Sequence, residues 1–485
     1  MRSAANRGPL AALAALGLLL GLAFALDPKT RPANVLTDFS AFYCAGAALN
    51  AGADPYLAEP LGTCERAPAP AWLSRSRPGL AIPAPLPPYA LAAFRLPALL
   101  PYPLAAFAWW AVLLGALGLT ATALRRATGL PWPAVIAAIG LVDGYVGVAL
   151  GQIAPLAIAA IAVSMWLLES GRDAAAGWAA ALAMLEPHVG LPACLALFLW
   201  RAPTRLPLAA AGCALALVSF IFAGLPLWNE YLGSVLPAHA ASEVANIKQL
   251  SLTYVAHRLG ASDATALHIG DLSYAIVSVA GVLLGRRLAT RLGAHGLTVA
   301  IPAAFAVVGG PFVHVAQIGV AMPAALLLYA RAESARPVLR WAIVCVALPF
   351  VQLGSLGWLF PLLEVLACVV LLVSLETPAP NVAAAAAAAF LLPLAAWALV
   401  VTKIESPTPA LVAAYDPRAL AEASWTTYVR LVGTADPLAY DLAKLPMWFG
   451  LCALVWVAFS LARNPVRESS TLARNGNAPA GRIAL

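Results

Sequence analysis

Residues 37–57 read TDFSAFYCAGAALNAGADPYL and follow the first strongly apolar run of the chain, residues 9–26. The stretch opens with an acidic residue, Asp38, and continues in a helical pattern that ends at Asn50. One helical face carries four apolar or aromatic residues, Phe39, Phe42, Tyr43 and Ala47. This pattern predicts a short amphipathic helix at a membrane surface, with its apolar face towards the bilayer.

Asp38 has two interpretations that are compatible with each other. At the start of a helix it is suited to be an N-cap that accepts backbone N–H bonds. At a membrane–water boundary it is also suited to remove a proton from an acceptor hydroxyl. Further along, Asp54-Pro55-Tyr56 is typical of an Asx turn, in which the aspartate side chain bonds to the backbone two residues on.

The composition indicates an integral membrane protein. The 485 residues are 62% hydrophobic and only 11% charged, and the mean hydropathy is +0.84, whereas soluble domains carry about 25% charged residues. The net charge of +7 arises largely from short loops and the tail. Such a distribution indicates topology signals and contact with anionic lipid, and it disfavours nucleic acid as a partner.

Apolar segments close to the ~20 residues of a bilayer crossing recur along the chain. They predict one all-α polytopic domain over residues 1–463, with about 12–14 transmembrane helices. The segment 175–200 is interrupted by Glu186-Pro187-His188 and is predicted to form two short helices. With that break, an N-terminus in the cytoplasm puts the arginine-bearing short loops on the cytoplasmic side.

The same arrangement puts the C-terminus in the cytoplasm, and the tail, residues 464–485, is predicted to be disordered. Three long loops then face outwards, over residues 27–88, 228–271 and 403–445. Of the seven cysteines, Cys44 and Cys64 share the first of these loops. They are able to form a disulfide if the loop is extracytoplasmic, and Cys44 is equally suited to pack on the apolar face of a helix.

Further motifs follow the opening stretch in a fixed order. They are Pro87-Pro88-Tyr89 with Leu99-Leu100-Pro101, Gly151-Gln152-Ile153, Gly177 to Pro187, Gln249 with Ser251-Leu252, and Pro311-Phe312-Val313-His314. With the opening stretch, this series resembles glycosyltransferase family 87, the polyprenol-phosphate-mannose-dependent mannosyltransferases, over roughly residues 30–330. Two positions depart from the family pattern, since Glu186 stands where a lysine is expected and the tryptophan expected near His314 is missing.

The resemblance implies a C-type glycosyltransferase (GT-C) fold in the bacterial inner membrane, with external loops that carry the site. It implies transfer of a hexose, with mannose favoured, from a polyprenyl-phosphate donor to an acceptor hydroxyl on the extracytoplasmic side. Asp38 is then the general base, and attack opposite the phosphate inverts the anomeric configuration. The acceptor is a glycolipid, a polysaccharide or a protein. No cofactor and no metal ion is expected, because loop cations can offset the phosphate charge.

Nine residues are candidates for substrate binding: Tyr43, Gln152, Glu186, His188, Lys248, Gln249, Ser251, Arg258 and His314. Lys248 and Arg258 are the cations suited to a phosphate. Ionisable groups at membrane depth are costly, which favours a functional reason for Glu186 and for His314. Simpler interpretations stay open: a hydrogen bond between helices for Gln152, an ordinary solvated loop around Lys248, and a packed histidine at position 314.

Two other functions fit a polytopic chain. A transporter or flippase of a lipid-linked or small solute is the first alternative. It is disfavoured because the predicted spans contain few internal acids, chiefly Asp143 and Glu364, and the polar groups gather on one side. A polymerase or ligase of surface polysaccharide is the other alternative, and it would be expected to rely on arginines of the external loops.

Overall fold

A computed structural model of the protein describes residues 36–66, 80–143, 146–347, 359–375, 416–432 and 437–463. These residues are predominantly helical, and no β-strand occurs among them apart from one isolated antiparallel bridge between Leu57 and Leu420. The all-α prediction is therefore confirmed. The first apolar run, residues 9–26, and the tail, residues 464–485, lie outside the described residues.

Seven of the described helices lie between residues 37 and 169. They are α1 Thr37–Asn50, α2 Ala58–Arg66, α3 Pro88–Phe94, α4 Tyr102–Thr128, α5 Trp132–Asp143, α6 Val146–Leu150 and α7 Ala154–Glu169. The long α4 shows why such a helix stops where it does. Arg125 and Arg126 occupy its last turn, where cations favour the helix dipole, and Gly129 follows in the left-handed conformation, with φ of 75°.

Seven helices form the middle of the chain: α8 Asp173–Ala181, α9 Pro187–Trp200, α10 Arg205–Phe222, α11 Gly224–Glu230, α12 Leu236–Glu243, α13 Leu252–Arg258 and α14 Asp263–Leu292. Seven more follow: α15 Leu297–Gly309, α16 Val315–Ile318, α17 Met322–Arg331, α18 Arg336–Ala347, α19 Leu359–Leu375, α20 Ala421–Val432 and α21 Pro437–Arg463. The external loop predicted over 228–271 thus contains two complete helices, α12 and α13.

Four helical segments in the described part are long and apolar enough to cross a bilayer: Tyr102–Thr128, Ala202–Phe222, Asp263–Leu292 and Lys444–Arg463. A fifth crossing arises if Val315–Arg331 and Glu333–Ala347, which are bent by 115°, count as one. The multi-span character is therefore confirmed, but the described residues do not contain 12–14 helices of spanning length. Several helices are shorter than the ~20 residues of a bilayer crossing. Helix α7 has 16 residues and α15 has 13, and glycine or proline lies next to the ends of both.

The predicted break in segment 175–200 is confirmed. Helix α8 passes into a 3-10 turn over Leu182–Leu185, and α9 begins at Pro187, whose missing N–H is tolerated at the first helical position. Helix α9 then packs closely against the 3-10 turn that ends α8. A Cβ added at Gly190 would lie 2.5 Å from the backbone oxygen of Ala183, so a side chain at position 190 would separate them. The break leaves Glu186 between two helices that are packed together.

Helix α1 differs from its predicted form. It begins at Thr37, its N-cap position is Leu36, and no side chain caps it, so the prediction that Asp38 is the N-cap is wrong. The apolar side chains pack on protein. Phe39 is fully buried and stacks on Trp109 at 5.5 Å between ring centroids. Buried alanines and Cys44 lie on another side of the helix, which makes α1 a packed core element more than an amphipathic surface helix.

The buried apolar residues form two groups. A large core joins α4, α5 and α7 to the helices from α14 to α18 and to α21. A smaller core joins α1, α2, the proline-rich segment 80–87, α3 and the start of α4. A Cys44–Cys64 disulfide ties α1 to α2 in this smaller core. Both cores are closed by packing of apolar side chains, and a cavity lies where they meet.

Candidate active site

A cavity of about 820 Å³ lies between the two cores. Its volume falls within the range of roughly 300–1,000 Å³ that is usual for small-molecule sites. Its polar or ionisable wall residues include Asp38, Gln152, Glu186, His188, His239, Glu243, Asn246, Lys248, His268, Asp271, His314, Gln317 and Trp425. Polar groups contributed by six helices and four loops therefore converge on one space.

Asp38 is held on this wall by the Gly151-Gln152 motif. The Gln152 side-chain amide donates a hydrogen bond to Asp38 Oδ2. This contact depends on Gly151, whose φ is 80° and whose added Cβ would lie 2.7 Å from Phe39 Cβ. Trp109 fixes the same turn, because its indole N–H donates to the Gly151 carbonyl at 2.9 Å. The glycine thus lets the turn lie against α1, and the glutamine reaches the carboxylate.

Glu186 lies on a second wall, at the break between α8 and α9. The Gln317 amide donates to its Oε2 at 3.1 Å, and His188 Nδ1 lies 3.6 Å from the same oxygen. The backbone around His188 is braced by Tyr274, whose hydroxyl donates to the His188 carbonyl at 2.7 Å. A buried carboxyl group with these partners faces the cavity at the position where the family pattern led us to expect a lysine.

Glu243 is the most fully hydrogen-bonded carboxylate of the site. Its Oε2 accepts hydrogen bonds from Asn246 Nδ2 at 2.7 Å and from Gln249 Nε2 at 2.8 Å. Its Oε1 accepts the indole N–H of Trp425 at 2.6 Å. His314 completes the group, with Nε2 at 3.3 Å from Glu243 Oε2. Since a buried charge needs such partners, this cluster fixes the relative positions of its members.

The charges of this cluster support one another. Burial by itself would raise the pKa of Glu243, but His314 and the hydrogen bonds to it lower that pKa below its ordinary value. Burial likewise disfavours a charged His314, yet Glu243 and, further away, Asp38 and Glu186 raise the pKa of His314 above its ordinary value. The site therefore favours an ionised carboxylate beside a protonated imidazole.

Lys248 is the one lysine or arginine on the cavity wall in the part of the chain that the structure describes. Its side chain is half-buried, and among the described residues it forms no ion pair or side-chain hydrogen bond. Its backbone N–H donates to Asn246 Oδ1 at 3.0 Å, so the turn that carries the ammonium group is fixed. A half-buried cation on the wall of this cavity is suited to an anionic ligand.

Four predicted residues lie off the cavity wall. Gln249 is fully buried behind His314, where its Oε1 accepts the Val313 N–H at 2.6 Å. Ser251 caps α13 and Tyr43 donates its hydroxyl to the Leu100 carbonyl at 2.8 Å. Arg258 pairs with Asp441 at 3.0 Å. The other six, Asp38, Gln152, Glu186, His188, Lys248 and His314, share the cavity.

Several wall residues were not anticipated, chiefly Glu243, Asn246, His239, Gln317 and Trp425. A signal for two of them exists in the sequence, because Glu243, Asn246 and Gln249 recur at a spacing of three. No local signal marks Trp425, which is separated from Glu243 by 182 positions. Its helix reaches the site through backbone bonds between residues 56–58 and 419–421, such as Ala421 N–H to the Tyr56 carbonyl at 2.9 Å.

The fold and the site together define a multi-pass membrane protein with a polar, charge-bearing cavity enclosed by its helices. A family model described as Glycosyltransferase family 87 matches residues 86–316. The match covers just under half of the chain and supports membership of glycosyltransferase family 87, which favours a membrane glycosyltransferase over a transporter. The match includes Gln152, Glu186 and His314 but does not reach Asp38. Comparison with curated proteins and with solved structures finds no significant match.

Proposed function

We propose that this glycosyltransferase moves a hexose, with mannose favoured by the resemblance, from a polyprenyl-phosphate donor to an acceptor hydroxyl. The observation that carries the proposal is the shared cavity, in which a held carboxylate, Asp38, and a half-buried cation, Lys248, line the same space. A reaction of this type needs a base for the acceptor and positive charge for the leaving phosphate.

Asp38 is the general base of the proposed reaction. The acceptor O–H gives its proton to Asp38 while its oxygen forms a bond to the anomeric carbon. The bond from that carbon to the phosphate oxygen breaks, and the electron pair leaves with the polyprenyl phosphate. Attack opposite the phosphate inverts the anomeric centre. The hydrogen bond from Gln152 orients the carboxylate.

Lys248 and His314 offset the negative charge of the phosphate. Both line the cavity, and the raised pKa of His314 favours its protonated form. Because Glu243 is already saturated by four partners, it orients the imidazole and does not itself act on the substrate. Glu186 stands where the family pattern has a lysine. It orients Gln317 and His188, and the phosphate is contacted by Lys248 and His314.

The apolar part of the cavity wall receives the first isoprene units of the donor. Leu191, Leu236 and Phe312 line it, and Leu191 is 54% exposed, so this wall continues to the outer surface of the helices. Burial of apolar surface from the lipid contributes roughly 25 cal/mol per Å². The remote contacts thus hold the anomeric carbon near Asp38 and increase the effective concentration of the reacting groups.

The reaction is proposed to take place on the extracytoplasmic side of the plasma membrane. The Cys44–Cys64 disulfide supports this side, because structural disulfides persist in oxidising compartments. It joins α1, which carries Asp38, to α2. The arginines at the end of α4 agree with it, since the positive-inside rule assigns that end to the cytoplasm.

The test is glycosyl transfer by the purified protein from labelled polyprenyl-phosphate sugars to a membrane lipid extract. Asp38→Asn is expected to lower the turnover at least a hundredfold, since a general base contributes roughly 10²–10⁴-fold. Glu333→Gln is the matched control, because Glu333 is exposed and its one ion pair among the described residues is with Arg336. An Asp38→Asn protein that folds and keeps the full transfer rate contradicts the proposed base.

A further inference from the structure

Trp425 lines the cavity from helix α20, outside the residues that the family model matches. Its indole N–H donates to Glu243 Oε1 at 2.6 Å, and the side chain is half-buried. The polar edge of the ring is therefore already satisfied by a buried carboxylate. What Trp425 offers to the cavity is its apolar ring surface.

This ring surface belongs to a rigid wall. Helix α20 is bonded to the smaller core through Ser424, whose hydroxyl donates to the Ala81 carbonyl at 2.9 Å and accepts the Ala81 N–H at 3.2 Å. Ala421 N–H donates to the Tyr56 carbonyl at 2.9 Å. Together with the bond to Glu243, these contacts fix both the helix and the plane of the indole, so a ligand that uses the ring meets a preorganised surface.

Hydrogen-bonding groups share the cavity with the ring. Asn246 and Lys248 line the same cavity, and Asn246 is tied to Glu243 by a bond of 2.7 Å. A pyranose ring has one face of C–H groups and a rim of hydroxyls. An aromatic ring that shares its cavity with polar side chains matches both parts, since the aromatic body takes the apolar face and the polar groups take the hydroxyls.

We propose that Trp425 is the platform on which a sugar ring stacks in the cavity, with Asn246 at its hydroxyl rim. The inference rests on the proposed function and deepens it by naming a specificity-determining residue. The stacked sugar belongs either to the donor or to a carbohydrate acceptor. Both present the same chemistry to the ring, and the kinetic test separates them.

The test compares Trp425→Phe with Trp425→Leu in the transfer assay. Phenylalanine keeps an aromatic face and loses the N–H, whereas leucine loses both. Aromatic contacts contribute roughly 0.5–1.5 kcal/mol, so Trp425→Leu is expected to raise a KM by roughly three- to tenfold, and Trp425→Phe by about twofold at most. A rise in the donor KM shows that the donor hexose stacks on Trp425, and a rise in the acceptor KM shows that a sugar of the acceptor does.

Tyr428→Leu is the matched control, because Tyr428 lies on the same helix with its ring 5.2 Å from that of Trp425 but does not line the cavity. It is expected to leave both KM values unchanged. Equal losses in Trp425→Phe and Trp425→Leu would show that the residue acts only through its bond to Glu243, and unchanged KM values in both would show that no sugar contacts the ring. Either result overturns the proposal.

The test of the Trp425 platform and the test of Asp38 as general base give distinguishable results. If Asp38→Asn keeps full activity while Trp425→Leu raises a KM, the base is wrong and the platform stands. If Asp38→Asn is inactive and Trp425→Leu has normal KM values, the base stands and the platform is wrong. Thermal unfolding of each detergent-purified variant shows that the comparison is made between folded proteins.

Discussion

Substitution of Gly151 by alanine tests whether the packing of one turn positions Asp38. The φ of Gly151 is 80°, and a Cβ there would lie 2.7 Å from Phe39 Cβ and 3.3 Å from Leu36 Cβ. A left-handed conformation costs an L-residue about 1–2 kcal/mol. Crowding of a packed core adds typically about 1–3 kcal/mol. We therefore expect Gly151→Ala to lower the free energy of unfolding by about 2–5 kcal/mol.

The effect on activity follows from the direction of the displacement. A Cβ at position 151 pushes against Phe39, the neighbour of Asp38, and so separates the carboxylate from Gln152. A hydrogen bond to a charged group contributes about 1.5–3 kcal/mol. If it acts in the transition state, its loss lowers the turnover roughly tenfold to hundredfold.

The assay is thermal unfolding of the detergent-purified protein, together with the rate of glycosyl transfer. Gly171→Ala is the matched control, since Gly171 has φ of 70° but no atom within 4 Å of its added Cβ. It carries the conformational cost without the contact. Gly140→Ala, in open space on helix α5, carries neither cost. If Gly151→Ala resembles Gly171→Ala in both stability and rate, the packing of this turn does not position Asp38.

Three further predictions follow from the site. Lys248→Gln is expected to raise the donor KM by tenfold or more, because an interaction with a charged group is lost, whereas Lys248→Arg is expected to keep the value close to that of the wild type. The Glu243–His314 pair contributes stability that is complete below the ordinary histidine pKa, about 6.5, and is lost as the pH rises through the raised pKa of His314. The difference in thermal-unfolding midpoint between the wild type and His314→Gln is therefore expected to shrink as the pH rises above 6.5. A difference that does not depend on pH contradicts this. Reduction of Cys44–Cys64, separated by 20 positions, is expected to cost roughly 3 kcal/mol and to lower the unfolding midpoint, which an unchanged midpoint would disprove.

Local chemistry determined several features that are readable from the sequence alone. The apolar composition requires helices, because backbone polar groups in a bilayer must be satisfied within their own segment. The break before Pro187 follows from the missing N–H of proline, and it occurs where it was predicted. The Asx turn was also predicted, and Asp54 Oδ1 accepts the Tyr56 N–H at 2.9 Å. Each of these depends on residues close together in the chain.

Tertiary structure alone decided which polar side chains share the cavity. Lys248 and Arg258 are both cations of one loop region, yet Lys248 lines the cavity and Arg258 pairs with Asp441. Trp425 meets Glu243 only because α20 docks on the first loop. The direction in which a side chain points is set by how its helix packs, and that packing joins segments more than a hundred positions apart. Spacing along the chain therefore identified candidates, and the packing of the two cores selected among them.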